Sequence, residues 1–132
     1  MNKMKTTTSL LHIGIQYYDK EKAELFFTKI LNMPKTRSFT VSEELSKKIF
    51  GISKDVNVDV YSNNNTIFEV FITEKKSKQY YEHICIEIDN KDEFVKKCKK
   101  YGLKPNIIKK GEKNLLFVKD FANNLYEVKE KR

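Results

Sequence analysis

Cysteine, proline, glycine and tryptophan are all scarce in this chain of 132 residues, and the shortages exclude several classes of protein. There are two cysteines, two prolines, four glycines and no tryptophan. Two cysteines cannot build the framework of a disulfide-rich secreted domain, so Cys85 and Cys98 are predicted to stay reduced. The chain has no apolar run of membrane-spanning length, and its N-terminus lacks the apolar core of a signal peptide. The sequence therefore predicts a cytoplasmic protein without a membrane partner.

Arginine is also rare, although the chain is strongly basic. Of 26 basic residues only Arg37 and Arg132 are arginine, and with 18 acidic residues the net charge is +8. Arginine is the usual residue for reading base edges, whereas lysines scattered along a chain are typical of a solvated surface. We therefore predict no nucleic-acid partner and a lysine-rich solvated surface, which is compatible with a basic rim that attracts a small anionic substrate.

One pattern occurs twice. Residues 10–16 and 81–89 each alternate apolar and polar side chains, which is the period of a half-buried strand. A histidine, His12 or His83, lies on the polar side of each strand, and a helix-start signal follows. The histidines are 71 residues apart (83 − 12 = 71). The spacing predicts two similar modules in one chain.

Each half of the chain is predicted to form a strand, a helix and three further strands. A chain of this length can bury one core but not two independent ones. We therefore expect a single α+β domain over residues 1–132, with βαβββ modules at 9–74 and 80–130. The wholly polar segment 74–79 is the predicted linker.

The first helix is expected over residues 19–33. Its apolar stripe should pack against Leu11, Ile13 and Ile15 of the first strand. The opposite face of that strand, which carries His12, is left free.

A glutamate lies inside an otherwise apolar strand near the end of each half. Glu69 and Glu127 each have an apolar neighbour on both sides, and burying a carboxylate there is costly unless it is paired or bound to a cation. Taken singly, such a glutamate often faces water, and a histidine at the start of a strand is usually hydrogen-bonded or solvent-facing. Taken together, His12, His83 and these glutamates form an N2O2 donor set that suits a divalent metal ion.

The same residues resemble the vicinal oxygen chelate superfamily, which includes glyoxalase I, methylmalonyl-CoA epimerase, extradiol dioxygenases, fosfomycin-resistance transferases and bleomycin-binding proteins. The segments that carry the resemblance are Leu11-His12-Ile13-Gly14-Ile15, Phe68-Glu69-Val70, Glu82-His83-Ile84 and Phe117-Val118-Lys119-Asp120-Phe121-Ala122-Asn123-Asn124-Leu125-Tyr126-Glu127. The last is similar to the signature Phe-x-x-Asp-Pro-Asp-Gly-Asn-x-x-Glu. Phe121 replaces its proline, and Asn123 replaces its glycine and can adopt the same left-handed turn conformation.

The resemblance implies paired βαβββ modules that curl into a cupped mixed sheet around a metal, with helices on the outer face. It implies that His12, Glu69, His83 and Glu127 are the ligands of Zn, Ni, Co, Mn or Fe, without choosing among them. It also implies a homodimer, with the site completed either within one chain or across the dimer. The expected chemistry is proton abstraction next to a metal-polarised carbonyl, with Glu127 and Glu69 as the proton-carrying groups.

The resemblance favours a glyoxalase I-like lyase or isomerase, or an epimerase, acting on a small, anionic substrate. Bacterial-type glyoxalase I usually has a glutathione-binding arginine where this chain has Gln16, so glutathione is not implied. Arg37 and Lys47 are candidates to bind a different anion, and Cys85 and Glu87 are candidates to line the pocket without taking part in the chemistry. Glu43 and Glu44 are candidate extra bases, although a solvated turn of helix is the favoured interpretation of that pair. The alternative function is a non-catalytic drug-binding or antibiotic-resistance protein on the same fold, which would need no metal.

Overall fold

The computed structural model describes residues 9–74 and 81–132. In chain order the elements are β1 (Ile13–Tyr17), α1 (Lys20–Glu24) continued by a π-helical segment (Leu25–Ile30), β2 (Lys35–Val41), α2 (Glu43–Phe50), β3 (Val56–Ser62), β4 (Ile67–Ile72), β5 (Ile84–Ile88), α3 (Lys91–Lys100), β6 (Asn106–Lys110), β7 (Lys113–Lys119) and β8 (Leu125–Glu130). The predicted linker, except for residue 74, lies outside the described residues. None of the helices in the described ranges has the length and apolar character to cross a membrane.

The strands form two four-stranded mixed sheets of the same topology. The first has the order β1-β4-β3-β2 and the second the order β5-β8-β7-β6. In each sheet the first and last strands of the module pair in parallel, and the other neighbours are antiparallel. This repeated topology confirms the predicted α+β fold of two βαβββ modules.

One apolar core joins the two sheets. Phe68 and Val70 of β4 are fully buried in it, together with Tyr126 and Val128 of β8. Side chains alternate across a strand, so Glu69 and Glu127 lie on the faces of their sheets that point away from this core. We call these the first inner face, which carries Glu69, and the second inner face, which carries Glu127.

The helix after β1 provides the aromatic centre of the core. Asp19 caps its start by accepting hydrogen bonds from two backbone N–H groups, as expected from the sequence. The second half is π-helical, with the Leu31 N–H donating to the Phe26 carbonyl, and it buries Phe26 and Phe27. Phe27 stacks on Tyr61 at a centroid distance of 4.8 Å, and Phe26 packs against Tyr126 of the second module at 5.1 Å.

The packing prediction for the first strand was wrong at one end. Ile15 is buried and Ile13 packs against the core, but Leu11 is 76% exposed because the strand begins only at Ile13. The alternating pattern continues past the true start of the strand, so the sequence overestimates its length. His12 consequently lies just before β1 rather than within it.

The short helix α2 packs on the first inner face. Phe50 at its end makes an edge-to-face contact with Phe71 of β4, at a centroid distance of 5.5 Å. Ser42 caps the helix, Gly51 ends it in the left-handed conformation, and Asp55 accepts a hydrogen bond from the Glu43 N–H at 2.6 Å. The helix is therefore fixed at both ends beside the site described next.

Candidate metal centre

The first half of the candidate site is a histidine–glutamate pair at one end of the first sheet. His12 Nε2 lies 3.4 Å from Glu69 Oε1. The parallel register of β1 and β4 produces this contact, because it sets Glu69 directly opposite Gly14, two residues after the histidine. The Glu69 side chain is only 18% exposed, whereas that of His12 is 50% exposed.

The second half is an equivalent pair in the second sheet. His83 Nε2 lies 3.3 Å from Glu127 Oε1, and their side chains are 39% and 21% exposed. Each glutamate is the third residue of the last strand of its module, and each histidine directly precedes the first strand. The matching geometry explains the matching positions of the four residues in the sequence.

The other ring nitrogen of His83 indicates which tautomer the ring adopts. His83 Nδ1 lies 2.9 Å from the Tyr81 carbonyl oxygen, which can only accept a hydrogen bond, so Nδ1 carries the proton. In the neutral ring Nε2 then directs its lone pair toward a carboxylate oxygen. Two acceptors at 3.3 Å need a cation, either a proton or a metal ion. The donor set therefore fits a divalent metal.

The structure brings the predicted ligands together as two pairs, not as one set of four. Within residues 9–74 and 81–132, no three histidine, cysteine, aspartate or glutamate side chains converge on a position that could hold a metal ion. The two pairs lie on the inner faces of different sheets. One chain thus presents two candidate half-sites, each with one imidazole and one carboxylate.

The side chains around Glu127 include two that were expected from the sequence, Cys85 and Glu87. Cys85 is directly opposite Glu127 in the register of β5 and β8, and Glu87 is on the same face. Burial, followed by the nearby Glu127 carboxylate, raises the pKa of Cys85. The ring of Phe117 is 5.9 Å from that of His83, so this half-site has an aromatic wall.

The first half-site has an aromatic neighbour too. A Cβ atom on Gly14 would approach the Phe71 ring to 3.3 Å, so glycine leaves room for that ring beside Glu69. Gln16, the next inward residue on β1, accepts a hydrogen bond from the Thr73 hydroxyl at 3.1 Å. Phe71 therefore makes this corner of the site apolar, and the side-chain oxygen of Gln16 already has a hydrogen-bond donor.

The remaining predicted site residues differ in position. Arg37 is on the first inner face, in the same cross-strand row as Glu69. Lys47, Glu43 and Glu44 are on α2 and exposed to solvent. The Glu44 carboxylate is paired with Lys48 at 3.1 Å within the helix.

Asp120 is a buried residue whose role the sequence did not reveal. It is only 3% exposed, yet it accepts hydrogen bonds from the Ala122 and Asn124 N–H groups and from the Tyr126 hydroxyl. Burial raises its pKa, although these hydrogen bonds act in the opposite direction. The Asn124 side chain also donates to the Gln16 carbonyl at 3.2 Å, which links the turn before Glu127 to the first module. The sequence signal that could have identified this role is that Asp120 is the aspartate of the Phe-x-x-Asp signature.

This architecture is the glyoxalase/bleomycin-resistance fold, the fold of the vicinal oxygen chelate proteins. Among solved structures, the chain is similar to the fosfomycin resistance protein FosX of Listeria monocytogenes, with a TM-score of 0.73, 17% identity and coverage of 96% of both chains. It is also similar to a glyoxalase family protein of Bacillus cereus, with a TM-score of 0.74, 14% identity and coverage of 96% of this chain and 95% of the other. By sequence, no family model and no curated protein matches the chain.

Other crystals of the Listeria protein contain ligands. One structure is a complex with Mn(II) and sulfate, with a TM-score of 0.70, 20% identity and coverage of 96% of this chain and 95% of that chain. A mutant of the same protein was crystallised with Mn(II) and 1S,2S-dihydroxypropylphosphonic acid. At these identities the similarity establishes the fold of this chain.

Proposed function

We propose that this protein is a metal-dependent enzyme that acts on a small anionic substrate. The observation that carries the proposal is the pair of equivalent histidine–glutamate contacts, at 3.4 and 3.3 Å. His12, Glu69, His83 and Glu127 are the proposed ligands. Mn(II) in the similar FosX structures supports a divalent ion of this kind, and the donor set suits Zn, Ni, Co and Fe as well.

The proposed site is completed across a homodimer. Each chain offers two half-sites on separate sheets, and a full set of four donors forms when the first half-site of one chain meets the second half-site of its partner. The residues beside the histidines support such burial, because Leu10, Leu11 and Tyr81 are 77%, 76% and 98% exposed. Large apolar side chains with this degree of exposure beside each pair are candidates for burial in an interface between chains.

A metal bound by these residues would polarise an oxygen of the substrate. The chain's own contribution is the handling of protons. Glu69 and Glu127 are partly shielded from water, and each has one oxygen close to its histidine. The other oxygen of each carboxylate is available to accept a proton from the substrate and to return it. Lys129 Nζ lies 3.9 Å from Glu127 Oε2.

The leading reaction is proton abstraction next to a carbonyl, as in glyoxalase I-like lyases, isomerases and epimerases. Gln16 stands where glyoxalase I usually has its glutathione-binding arginine, and its side-chain oxygen accepts a hydrogen bond from Thr73. We therefore propose a substrate other than a glutathione adduct.

The second candidate reaction is the opening of an epoxide by water, favoured by the similarity to FosX and by the dihydroxypropylphosphonic acid in one of those crystals. The carboxylates would then activate water instead of the substrate.

The competing hypothesis is a metal-free protein that binds a drug or antibiotic on the same fold. It predicts tight binding of an organic ligand that a chelator does not affect. The two inward-facing carboxylates oppose it, because burying them without a cation is costly.

The deciding experiment is the metal content of the purified full-length protein. We expect about one divalent ion per chain, a lower melting temperature after chelation, and recovery with one of the ions Mn, Ni, Co or Zn. Glu127→Gln should lose both the metal and the turnover of substrate. Glu112→Gln, an exposed glutamate in the turn between β6 and β7, is the matched control and should keep both.

Substrates would then separate the two reactions. Turnover of α-ketoaldehyde adducts or acyl-CoA epimers would support proton abstraction, and conversion of fosfomycin to its diol, followed by ³¹P NMR, would support epoxide opening. A protein that contains no metal and does not respond to any of the four ions would refute the metalloenzyme.

A further inference from the structure

The short helix α2 has an apolar side that the other described residues leave open to solvent. We infer that this side, formed by Leu45 and Ile49 and called the α2 face, is a docking surface for a second copy of this chain. It meets the second inner face of the partner, and the contact shields the completed metal site from water. The inference rests on the proposed function and deepens it, because it names the surface through which the two half-sites are brought together.

The α2 face lies next to the side of the helix that the sheet covers. Ser46 is buried and Phe50 contacts Phe71, so these two residues, one turn apart, face the sheet. Leu45 and Ile49 each precede one of them by one residue and therefore lie about 100° further round the helix axis. Their side chains are 48% and 58% exposed. The apolar side of α2 is thus wider than the part that the sheet covers.

The helix stands beside the first half-site. The Phe71 ring that Phe50 contacts would lie 3.3 Å from a Cβ atom on Gly14, and Gly14 is directly opposite Glu69 in the register of β1 and β4. An α-helix with its side chains is about 10 Å across, so α2 forms a wall of that height on the first inner face. A partner sheet that brings its donors to Glu69 must therefore lie alongside this wall.

Other exposed apolar side chains enlarge the surface around the α2 face. Phe39 of β2 and Ile67 of β4 are on the first inner face, and Phe50 and Ile52 lie at the end of α2. With the α2 face these side chains leave on the order of 600 Å² open, because a fully exposed side chain of this size presents about 200 Å². A stable dimer buries about 800 Å² on each partner. The exposed apolar area is therefore close to what a second copy would cover.

The second inner face offers an apolar side chain at its outer edge. Ile108 of β6 is opposite Leu115 of β7, which is two residues before Phe117, so all three share the face that carries Glu127. Ile108 is exposed, as is every other residue of β6. Ile108 of the partner subunit is therefore the proposed contact of the α2 face.

Charge favours contact between unlike faces. On the first inner face Arg37 balances Glu69, and α2 carries two lysines and two glutamates. The second inner face has more lysines than glutamates, so two such faces would repel each other. A dimer that joins the first face of one chain to the second face of the other avoids this repulsion. The charged residues on the strands of the second inner face are Lys110, Lys113, Lys119, Lys129, Glu87 and Glu127.

The test is sedimentation-velocity ultracentrifugation of the full-length chain over a range of concentrations, which gives the dissociation constant of the dimer. The variants are Ile49→Lys, which places a charge in the α2 face, and Ile49→Leu, which keeps the contact apolar. Ile107→Lys is the matched control, because Ile107 is also 58% exposed but lies on the opposite face of β6 from Ile108. Circular dichroism checks that each variant is folded, and the Mn(II) content is measured on the same samples.

We expect Ile49→Lys to raise the dissociation constant of the dimer by roughly tenfold or more, because the new charge would have to be buried in an apolar contact. Ile49→Leu and Ile107→Lys should change it by less than about twofold. Dilute Ile49→Lys should hold less Mn(II) per chain than the wild type, and should regain it at concentrations that restore the dimer, because its four ligands are intact.

The inference is overturned if the wild type stays monomeric, if Ile49→Lys dimerises as the wild type does, or if Ile107→Lys weakens the dimer as much. The last result would point to pairing through the edge strand β6 instead. Full Mn(II) content in monomeric Ile49→Lys would also overturn it, because the contact would then not complete the site. A dimer that Ile49→Lys weakens, but that binds no metal even as wild type, would refute the proposed function and leave the docking surface in place.

Discussion

The Tyr126 hydroxyl donates a hydrogen bond to the buried carboxylate of Asp120 at 2.8 Å. Tyr126 directly precedes the candidate ligand Glu127 in the sequence. Asp120 also accepts hydrogen bonds from the Ala122 and Asn124 N–H groups, at 2.9 and 3.0 Å. One carboxylate therefore fixes both the turn between β7 and β8 and the strand that carries Glu127. The position of the ligand depends on a group that does not itself face the site.

Asp120→Asn should destabilise the protein by about 1–3 kcal/mol, because the amide nitrogen cannot accept the hydrogen bonds that one carboxylate oxygen now accepts. The measurement is urea unfolding followed by circular dichroism. Tyr126→Phe removes only one donor and should cost less. An Asp120→Asn variant as stable as the wild type would show that these hydrogen bonds merely replace equivalent ones to water.

The same residue predicts a pH dependence. Burial raises the pKa of Asp120 in the folded chain above its unfolded value of about 3.9. A raised carboxyl pKa contributes stability that is fully present below the unfolded pKa and is lost as the pH rises through the folded pKa. The free energy of unfolding of the wild type minus that of Asp120→Asn should therefore be largest near pH 4 and should fall as the pH rises. A difference that grows with pH would contradict this prediction.

Asn123 adopts φ = +65°, as its place in the signature predicts. Asn123→Gly should be nearly neutral, because glycine adopts this conformation without strain. Asn123→Val should cost about 1–2 kcal/mol, since a β-branched residue is strained at positive φ. Thermal unfolding of both variants measures the difference. Equal melting temperatures would mean that the turn rearranges to accept valine.

The sequence was sufficient to single out the four residues of the two histidine–glutamate pairs, and their role as metal ligands stays a prediction. His12 and His83 begin alternating segments, and Glu69 and Glu127 interrupt apolar strands, so each residue is identified by a local pattern. Their division into two separate pairs could not be predicted, because no local pattern records which sheets face each other.

Other features depend on register rather than on local pattern. The row that joins Arg37 to Glu69 follows an irregularity between Lys35 and Arg37, which the sequence does not signal. The π-helical segment escaped prediction for a similar reason. Its apolar spacing is that of an α-helix, and the hydrogen bond from the Leu31 N–H to the Phe26 carbonyl, five residues earlier, distinguishes the two.

The two cysteines should differ in reactivity. Cys98 is fully buried, and burial raises its pKa to about 12, whereas Cys85 is exposed on the second inner face. Iodoacetamide at pH 8 should modify one thiol per chain, at Cys85, and should reach Cys98 only in denaturant. The raised pKa of Cys85 should make its reaction slower than that of a free thiol and faster at higher pH. Mass spectrometry of peptides gives both rates, and equal native rates would place Cys98 in contact with solvent.

Two defective chains should restore one intact site if the metal centre forms across the dimer. In one chain His12→Ala and Glu69→Gln inactivate the first half-site, and in the other His83→Ala and Glu127→Gln inactivate the second. Each homodimer then lacks half of every site. A heterodimer contains one site with both halves inactive and one site with both halves intact. Co-expression should therefore recover about a quarter of the wild-type metal content, because half of the dimers in an equal mixture are heterodimers.

This complementation separates the two arrangements that the fold permits. If each chain supplied all four ligands of its own site, neither chain could rescue the other, and the co-expressed protein would bind no more metal than the separate variants. A control that combines both inactivated half-sites in one chain and leaves the other chain wild type should bind metal only through wild-type homodimers. Recovery in the first mixture, with size-exclusion chromatography showing a dimer in both, would assign the site to the interface.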